Sequence, residues 1–316
     1  MKIAFHSEQL AYRGTEVAMY DYAKYNEEIL GNESIIIANA DPKLLPAYDK
    51  FKKRFHVELY DNFSLVDKIC EKNKVDVFYI TKSGENDGKI CKSCKTAVHA
   101  VFAAKDPHGQ VYAYISEWLS NFCYNGHMPY VPYMVEKNPE TQNLRQQLNI
   151  KKDAIVLGYH GGHNSFNINF VQQAVYEHAH RNPNVYFLFL GAQQFCPQMP
   201  NIIHFPYAYD LSFKGKFINT CDAMLHARDR GETFGLSIAE FSCANKPIIT
   251  WYDSPERQHI EILEDVGIYY SNKEHIDYIL QNIQDLIQPH EKKYDVYSQK
   301  FSPKNVMQKF DQVFIK

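Results

Sequence analysis

The stretch from Arg230 to Thr250, "RGETFGLSIAEFSCANKPIIT", places two acids around a turn and the start of a helix. Glu232 and Glu240 have seven residues between them. On one continuous helix they would lie about 12 Å apart, at about 1.5 Å per residue. That distance exceeds the roughly 5–9.5 Å between the two carboxyl groups of a glycoside hydrolase. The spacing therefore predicts Glu232 in the loop before a helix and Glu240 inside that helix.

The residues between the two acids suit an anionic ligand. Gly235 permits close approach of a ligand to the backbone, and Thr233 is a candidate cap for the helix. The first N–H groups of a helix bind anions, helped by the helix dipole. A phosphate at that end, with one carboxylate on each side, indicates a nucleotide-sugar, with one acid on the sugar hydroxyls and the other on a ribose. The alternative is a capped amphipathic helix whose acids are solvated.

Strand and helix signals alternate on both sides of this stretch, which predicts parallel sheets with crossover helices. The predicted strands of the first half are Lys2–His6, Ser34–Ala38, His56–Tyr60, Val75–Ile80, Thr96–Phe102 and Val111–Ser116. Three prolines within 129–139 predict an interdomain connection. The predicted strands of the second half are Ala154–His160, Val185–Gly191, Asn201–Phe205, Ala223–Ala227 and Lys246–Thr250. Two Rossmann-like halves in series place a ligand cleft at the carboxyl ends of the strands.

The composition is that of an ordinary globular chain. Its 316 residues are enough for two domains, and the formal net charge of −3 gives no reason to expect a nucleic-acid partner. The N-terminal segment 1–10 is too short in its apolar run for a signal peptide. No apolar run reaches about eighteen residues, so no transmembrane helix is predicted. We expect a cytoplasmic protein.

The cysteines and histidines predict no metal site. The seven cysteines are an odd number, which suits free thiols in a reducing compartment. Cys91 and Cys94 form a single C-x-x-C without the second pair that a zinc site would need, so packing or a surface loop is the expectation there. His160 and His163 flank two glycines with no carboxylate nearby in sequence, and no metal is predicted there either.

The segment Cys221–Thr250 resembles the donor-site signature of retaining glycosyltransferases with the GT-B fold, close to glycosyltransferase family 4. Glu232 and Glu240 match the E-x7-E motif of that family. The resemblance covers most of the chain, including Lys300–Ile315, which is similar to the last helix that crosses back to the first domain. It implies an α/β GT-B fold with two Rossmann-like domains and an interdomain cleft. The acceptor-side domain would be 1–137 plus helix 303–316, and the nucleotide-sugar donor domain 138–302.

The resemblance also implies roles for individual residues. Glu232 would contact the hydroxyls of the donor sugar in a catalytic role, and Glu240 the ribose. His99 resembles the family histidine that faces the donor sugar across the cleft, and the alternative is a histidine packed within a strand. Further donor-binding roles are implied for the backbone of Phe234, Gly235 and Leu236, for Arg13 and Gly14 in the first strand-to-helix loop, and for Tyr207 at the base.

One loop departs from the family pattern. The family carries an arginine and a lysine after the first strand of the second domain, whereas the loop Gly158–Asn167 contains neither. Gly161 and Gly162 are expected to hold phosphate through backbone N–H groups instead. The positive charge would then come from Arg228, from Arg230, or from protonated His160 or His163.

The function implied is transfer of a sugar from a UDP- or GDP-linked donor to a hydroxyl of a carbohydrate or glycoconjugate, with retention and without a metal or other cofactor. Two alternatives remain open: a nucleotide-sugar epimerase on the same architecture and a non-catalytic donor-binding subunit. The basic residues Lys50, Lys52, Lys53 and Arg54 lie among aromatic residues, as in helices that approach anionic membranes. A solvated helix end is the favoured interpretation of this patch, and peripheral membrane contact is the less favoured alternative.

Overall fold

A computed structural model describes residues 1–207, 210–287 and 293–316. The chain divides into two compact units. Unit 1 comprises Met1–Met134 together with Phe301–Lys316, and unit 2 comprises Val135–Lys300. The change of unit at Met134 falls inside the proline-rich segment 129–139.

Unit 1 is built on a six-stranded parallel sheet with the strand order β3-β2-β1-β4-β5-β6. Its strands are β1 (Lys2–His6), β2 (Glu33–Asn39), β3 (His56–Tyr60), β4 (Val77–Lys82), β5 (Lys95–Ala100) and β6 (Val111–Tyr114). The helices between them are α1 (Gly14–Glu28), α2 (Tyr48–Lys52), α3 (Val66–Asn73) and α4 (Glu117–Tyr124). The central strands are nearly continuous apolar runs because helices cover both faces of a parallel sheet.

The end of the chain belongs to unit 1. Helix α11 (Pro303–Phe310) begins at a Ser302 cap with proline in its first turn, and a π-helical turn (Asp311–Ile315) follows it. The fully buried ring of Phe310 stacks on Tyr22 of α1, with 5.2 Å between ring centroids. This packing confirms the predicted return of the last helix to the first domain.

Unit 2 repeats the design. Its six-stranded parallel sheet has the order β14-β12-β10-β7-β8-β9. The strands are β7 (Ile155–His160), β8 (Val185–Leu190), β9 (Ile202–Phe205), β10 (Ala223–Leu225), β12 (Ile248–Trp251) and β14 (Ile268–Tyr270). The helices are α5 (Asn169–Arg181), α6 (Leu211–Thr220), α7 (Leu236–Cys243), α8 (Gln258–Leu263), α9 (Lys273–Gln281) and α10 (Ile283–Ile287).

A separate two-stranded parallel ladder pairs β11 (Gly231–Glu232) with β13 (Glu256–Arg257). It fixes the backbone of Glu232 immediately before α7, so that this side chain is presented from a strand rather than from a free loop. Among the helices of the described residues, none is long and apolar enough to cross a membrane.

Candidate functional site

The order of the parallel strands places the candidate site of unit 2 at the carboxyl ends of β7 and β10. His160 is the last residue of β7, and His226 directly follows β10. These two strands are neighbours, with β8 beyond β7 and β12 beyond β10. The strand order therefore reverses between them, which is where ligands bind to open α/β sheets.

Glu232 lies in a cluster with two basic side chains. Nη1 of Arg228 donates a hydrogen bond of 2.9 Å to Oε2 of Glu232, and Nε2 of His226 lies 3.3 Å from Oε1. The other ring nitrogen of His226, Nδ1, lies 2.9 Å from the hydroxyl of Thr250 in β12. Because a carboxylate only accepts hydrogen bonds, His226 carries a proton on Nε2, and Thr250 can donate to Nδ1. A chain of contacts from β12 thus orients the carboxylate.

The environment keeps Glu232 ionised. The carboxylate side chain is 15% exposed. Burial alone would raise its pKa, but the hydrogen bond from His226 and the charge of Arg228 lower the pKa of Glu232 to about 2. The ring of His259, fully buried, packs 5.3 Å from that of His226. The site therefore offers a fixed negative charge at neutral pH, able to accept hydrogen bonds or to stabilise positive charge.

Glu240, inside α7, lies between two basic side chains from other elements. Its Oε2 is 2.8 Å from Nε2 of His160 at the end of β7. Its Oε1 forms an ion pair with Nζ of Lys214 from α6. Glu240 is 21% exposed. Burial acts to raise its pKa, but the charges of Lys214 and His160 lower the pKa of Glu240 to about 2. Two ionised carboxylates with basic partners thus occupy this edge of the sheet.

The turn between Glu232 and Glu240 lets a ligand approach the backbone closely. Gly235 stands at the start of α7 with φ 88°, a left-handed conformation that favours glycine. A Cβ there would lie 3.3 Å from Cβ of Glu232. The predicted cap by Thr233 is wrong: α7 begins after Gly235 and has no side-chain cap. The ring of Phe234 packs edge-on against Tyr297 with the centroids 5.8 Å apart, which anchors the turn, and Leu236 is the first helical residue.

The glycine-rich loop after β7 lies close to the same segment. Asn167, at its end, accepts the backbone N–H of Asp229 at 2.9 Å and donates its own backbone N–H to Ala227. A Cβ at Gly161 would collide with the Tyr159 hydroxyl and lie 2.9 Å from Oγ of Ser165, so the tight loop requires glycine there. Gly162 and His163, in the same loop, are exposed.

Tyr207 follows β9 and is 43% exposed. Its ring lies over Gly191 at the end of β8, where an added Cβ would be 2.6 Å from Cδ2 of Tyr207 and 2.7 Å from the carbonyl oxygen of Gly161. Gly161, Gly191 and Tyr207 therefore meet at one edge of the sheet. An exposed aromatic ring at this position could stack on a flat ring of a ligand. The role of Tyr207 at the nucleotide base stays a prediction.

Three further residues are also predicted to bind the donor: Arg230 in unit 2, and Arg13 and Gly14 in unit 1. Nε of Arg230 donates a 2.7 Å hydrogen bond to the buried carboxylate of Glu256, so this guanidinium is paired away from Glu232. In unit 1, Arg13 is the residue before α1, and Gly14 begins that helix; both are exposed. Their predicted donor contacts stay predictions.

His99 lies in the interior of unit 1, in β5. It is 0% exposed. Nε2 points at two carbonyl oxygens, those of Val131 at 2.9 Å and Tyr114 at 3.3 Å, so it carries the proton. Nδ1 accepts from the hydroxyl of Tyr79 at 2.5 Å. Burial lowers the pKa of His99 to about 3, which keeps the ring neutral.

Both ring nitrogens of His99 are therefore occupied within unit 1. This arrangement agrees with the alternative interpretation of His99 as a histidine packed within a strand. A direct contact of His99 with a donor sugar would require the ring to leave these partners. Its catalytic role, assigned from the family resemblance, stays a prediction that this geometry does not favour.

Four residues of the site escaped the sequence analysis: Lys214, His226, Thr250 and His259. Lys214 and His259 lie in helices distant in sequence from both acids, and no local pattern marks them. His226 and Thr250 lie inside the segment Cys221–Thr250, each near the carboxyl end of a predicted strand. That position is the signal that could have identified them, since such ends line the ligand edge of a parallel sheet.

Comparison with solved structures shows the same fold. HepE from Anabaena, crystallised in complex with UDP-glucose, is similar with a TM-score of 0.75 and 15% identity, over 99% of this chain and 98% of that one. A glycosyltransferase from Rickettsia africae has a TM-score of 0.70 and 14% identity, over 99% and 97% of the two chains. WaaG, a glycosyltransferase involved in lipopolysaccharide biosynthesis, has a TM-score of 0.71 and 11% identity, over 99% and 100%. No protein-family model and no curated protein matches the chain. The similarity confirms the predicted GT-B fold.

Proposed function

We propose that this chain is a glycosyltransferase of the retaining GT-B class, related to family 4, that moves a sugar from a nucleotide-diphosphate sugar to a hydroxyl acceptor. The observation that carries the proposal is the carboxylate of Glu232, whose position is fixed by contacts with basic side chains. It is ionised, oriented by His226 and Arg228, and positioned beside the start of α7 at the switch point of the sheet. Buried charges with specific partners and strongly shifted pKa values cluster at functional sites, which supports this assignment.

Glu232 is assigned to the donor sugar, where it accepts hydrogen bonds from hydroxyls and stabilises the positive charge that develops at the anomeric carbon. Glu240 is assigned to the ribose. The backbone N–H groups at Phe234, Gly235 and Leu236, together with the loop of Gly161 and Gly162, are assigned to the phosphates, which helix ends and glycine loops bind through backbone donors.

Positive charge for the diphosphate is assigned to Lys214 and Arg228. The loop Gly158–Asn167 lacks the basic pair of the family, but Lys214 reaches the site from α6 and lies beside Glu240. Arg228 lies beside Glu232. A lysine and an arginine thus stand within the donor site, although neither comes from the loop where the family carries them. This replacement favours an enzyme over a binding subunit, because the leaving diphosphate needs electrostatic stabilisation.

The proposed reaction proceeds with retention of configuration. The departing phosphate oxygen takes the proton of the incoming hydroxyl on the same face of the sugar, so that no side-chain nucleophile is needed. The fixed cations and backbone donors supply the electrostatic stabilisation without a metal ion. HepE was crystallised with UDP-glucose and with UDP and glucose, which supports a UDP-sugar as the first donor to test. Unit 1 is assigned to the acceptor, and Arg13 and Gly14 to its border with the diphosphate.

The test is a product assay with UDP-, GDP- and ADP-sugars and a panel of carbohydrate acceptors. We expect release of the nucleoside diphosphate together with a new glycoside whose anomeric configuration equals that of the donor. An altered sugar or sugar nucleotide formed without an acceptor would instead identify an epimerase. Donor binding without turnover, seen as a rise in melting temperature only, would identify a donor-binding subunit.

A further inference from the structure

Three cysteines converge in unit 1, outside the site described above. Cys70 comes from α3, while Cys91 and Cys94 come from the turn that precedes β5. Their three sulfur atoms all lie within 4.8 Å of one another, and those of Cys91 and Cys94 are 3.5 Å apart. Over the ranges 1–207, 210–287 and 293–316, no other group of three histidine, cysteine or acidic side chains brings its ligand atoms so close.

The spacing of the sulfur atoms fits a metal ion. Zinc binds thiolates at about 2.3 Å in tetrahedral geometry, which places neighbouring sulfur atoms about 3.8 Å apart. The distances in this cluster need only small side-chain adjustments to reach that value. A single C-x-x-C pair lacks the ligands for zinc, but α3 supplies a third thiol that is 21 residues away from Cys91 in the chain.

The surrounding hydrogen bonds hold the turn in position. The hydroxyl of Thr96 accepts the backbone N–H of Cys91 at 3.0 Å and donates to its carbonyl oxygen at 2.9 Å. Asp67, one helical turn before Cys70, accepts the N–H of Lys92 at 2.6 Å, and its Oδ1 lies 3.2 Å from the sulfur of Cys91. The turn is thus fixed to α3 on the side that carries Cys70, so the three sulfur atoms are preorganised.

We infer that Cys70, Cys91 and Cys94 form a zinc site that ties α3 to the turn before β5. Cys70 and Cys91 are buried, whereas Cys94 is partly exposed. Three thiolates leave one of the four positions of a tetrahedral zinc ion open, which a water molecule would fill. Asp67 is a positioning residue for the turn: it accepts the N–H of Lys92 and so holds the segment that carries Cys91 and Cys94 against α3. The site lies in the unit assigned to the acceptor, and it takes no part in the proposed donor chemistry.

The experiment is metal analysis of the full chain, purified after expression in zinc-supplemented medium. We expect about one zinc per chain, as one site requires. Replacement of the zinc by Co²⁺ should give the strong sulfur-to-metal charge-transfer absorption and intense visible bands of a tetrahedral thiolate site. The cobalt spectrum is recorded on the unaltered protein, so it decides the question even if a cysteine variant fails to fold.

The variants C70S, C91S and C94S are expected to lose the bound zinc, while C123S retains it. Cys123 is the matched control because it is a buried free cysteine of the same unit that lies outside the cluster. The inference is overturned by a chain without metal, by a cobalt spectrum without charge transfer, or by C70S binding zinc as tightly as the unaltered protein. A Cys91–Cys94 disulfide in the freshly purified chain, detected by mass spectrometry, would also overturn it.

Discussion

Nε2 of His160 lies 2.8 Å from Oε2 of Glu240, which ties the last residue of β7 to the middle of α7. The ring of His160 also stacks on Phe241, the next residue of the same helix, with 5.7 Å between centroids. Lys214 of α6 pairs with the other carboxylate oxygen. Three elements therefore converge on one carboxylate, and the substitution of any one member changes the charge that the other members experience.

The variant Glu240→Gln should act mainly on donor affinity. The ribose is remote from the reacting bond and is bound similarly in the ground state and the transition state, so KM for the donor rises while kcat stays near its original value. Loss of one hydrogen bond to a charged group corresponds to about tenfold to a hundredfold weaker binding. Steady-state kinetics with varied donor concentration measures both constants. A large fall in kcat with unchanged KM would contradict the ribose assignment.

The variant Lys214→Met should weaken binding of the nucleoside diphosphate by about tenfold or more, because one cation at the phosphates is lost. Isothermal titration with UDP and GDP measures this affinity directly. Lys216→Met is the matched control, since Lys216 lies in the same helix but near Glu140 rather than Glu240. Equal affinities of the two variants for the diphosphate would remove Lys214 from the donor site.

Chelation should leave turnover intact. Because Lys214, Arg228 and backbone donors are proposed to neutralise the diphosphate, no divalent ion is needed at the donor phosphates. Activity is measured after brief treatment with EDTA and after separate addition of Mg²⁺, Mn²⁺ and Zn²⁺. Loss of activity that Mg²⁺ or Mn²⁺ restores would contradict the metal-free mechanism. Restoration by Zn²⁺ alone would instead indicate that the cysteine cluster had lost its ion.

Buried histidines should make the chain less stable in acid. Burial lowers the pKa of His99 to about 3 from the ordinary value of 6.5. Between these values the unfolded chain binds a proton that the folded chain does not, so the unfolding free energy falls as the pH falls from 6.5 towards 3. His6 and His259, whose pKa values burial also lowers to about 3, act in the same direction.

Urea unfolding at several pH values measures this dependence. The variant His99→Gln should reduce the slope of unfolding free energy against pH by about 1.4 kcal/mol per pH unit, the value for one proton. His127→Gln is the matched control, because His127 lies in the same unit but is exposed. An unchanged slope in His99→Gln would mean that His99 is not held neutral in the folded protein.

The fold could be predicted from the sequence because most of its strands are short runs of apolar residues that can be recognised locally. The strand from His56 to Tyr60 has the predicted bounds, β8 ends one residue before its prediction, and β2 extends one residue beyond its prediction at each end. Buried parallel strands are short apolar runs between turn signals, so each is marked locally. The short ladder of β11 and β13 was not predicted, since two-residue strands carry no periodicity.

The site was predictable only where the residues lie close together in sequence. Glu232, Gly235 and Glu240 could be placed from a single segment. Lys214 could not, because its contact with Glu240 joins two helices, α6 and α7, that β10 and β11 separate in the chain. Cys70 was missed for the same reason, being separated from the C-x-x-C pair by a complete strand. A histidine packed within a strand could be stated as an alternative for His99, but its ring partners, the Tyr79 hydroxyl and the Val131 carbonyl oxygen, are marked by no spacing rule.

The most direct test of the account is the turnover of Glu232→Gln at saturating donor, compared with the unaltered chain. Glutamine keeps the shape of the side chain but removes the charge that His226 and Arg228 hold in place. If this charge stabilises the transition state, kcat should fall by about 10²–10³, as for the loss of one preorganised electrostatic contact. Circular dichroism and donor binding should show that the variant remains folded. Turnover near the original rate under these conditions would contradict the catalytic assignment of Glu232.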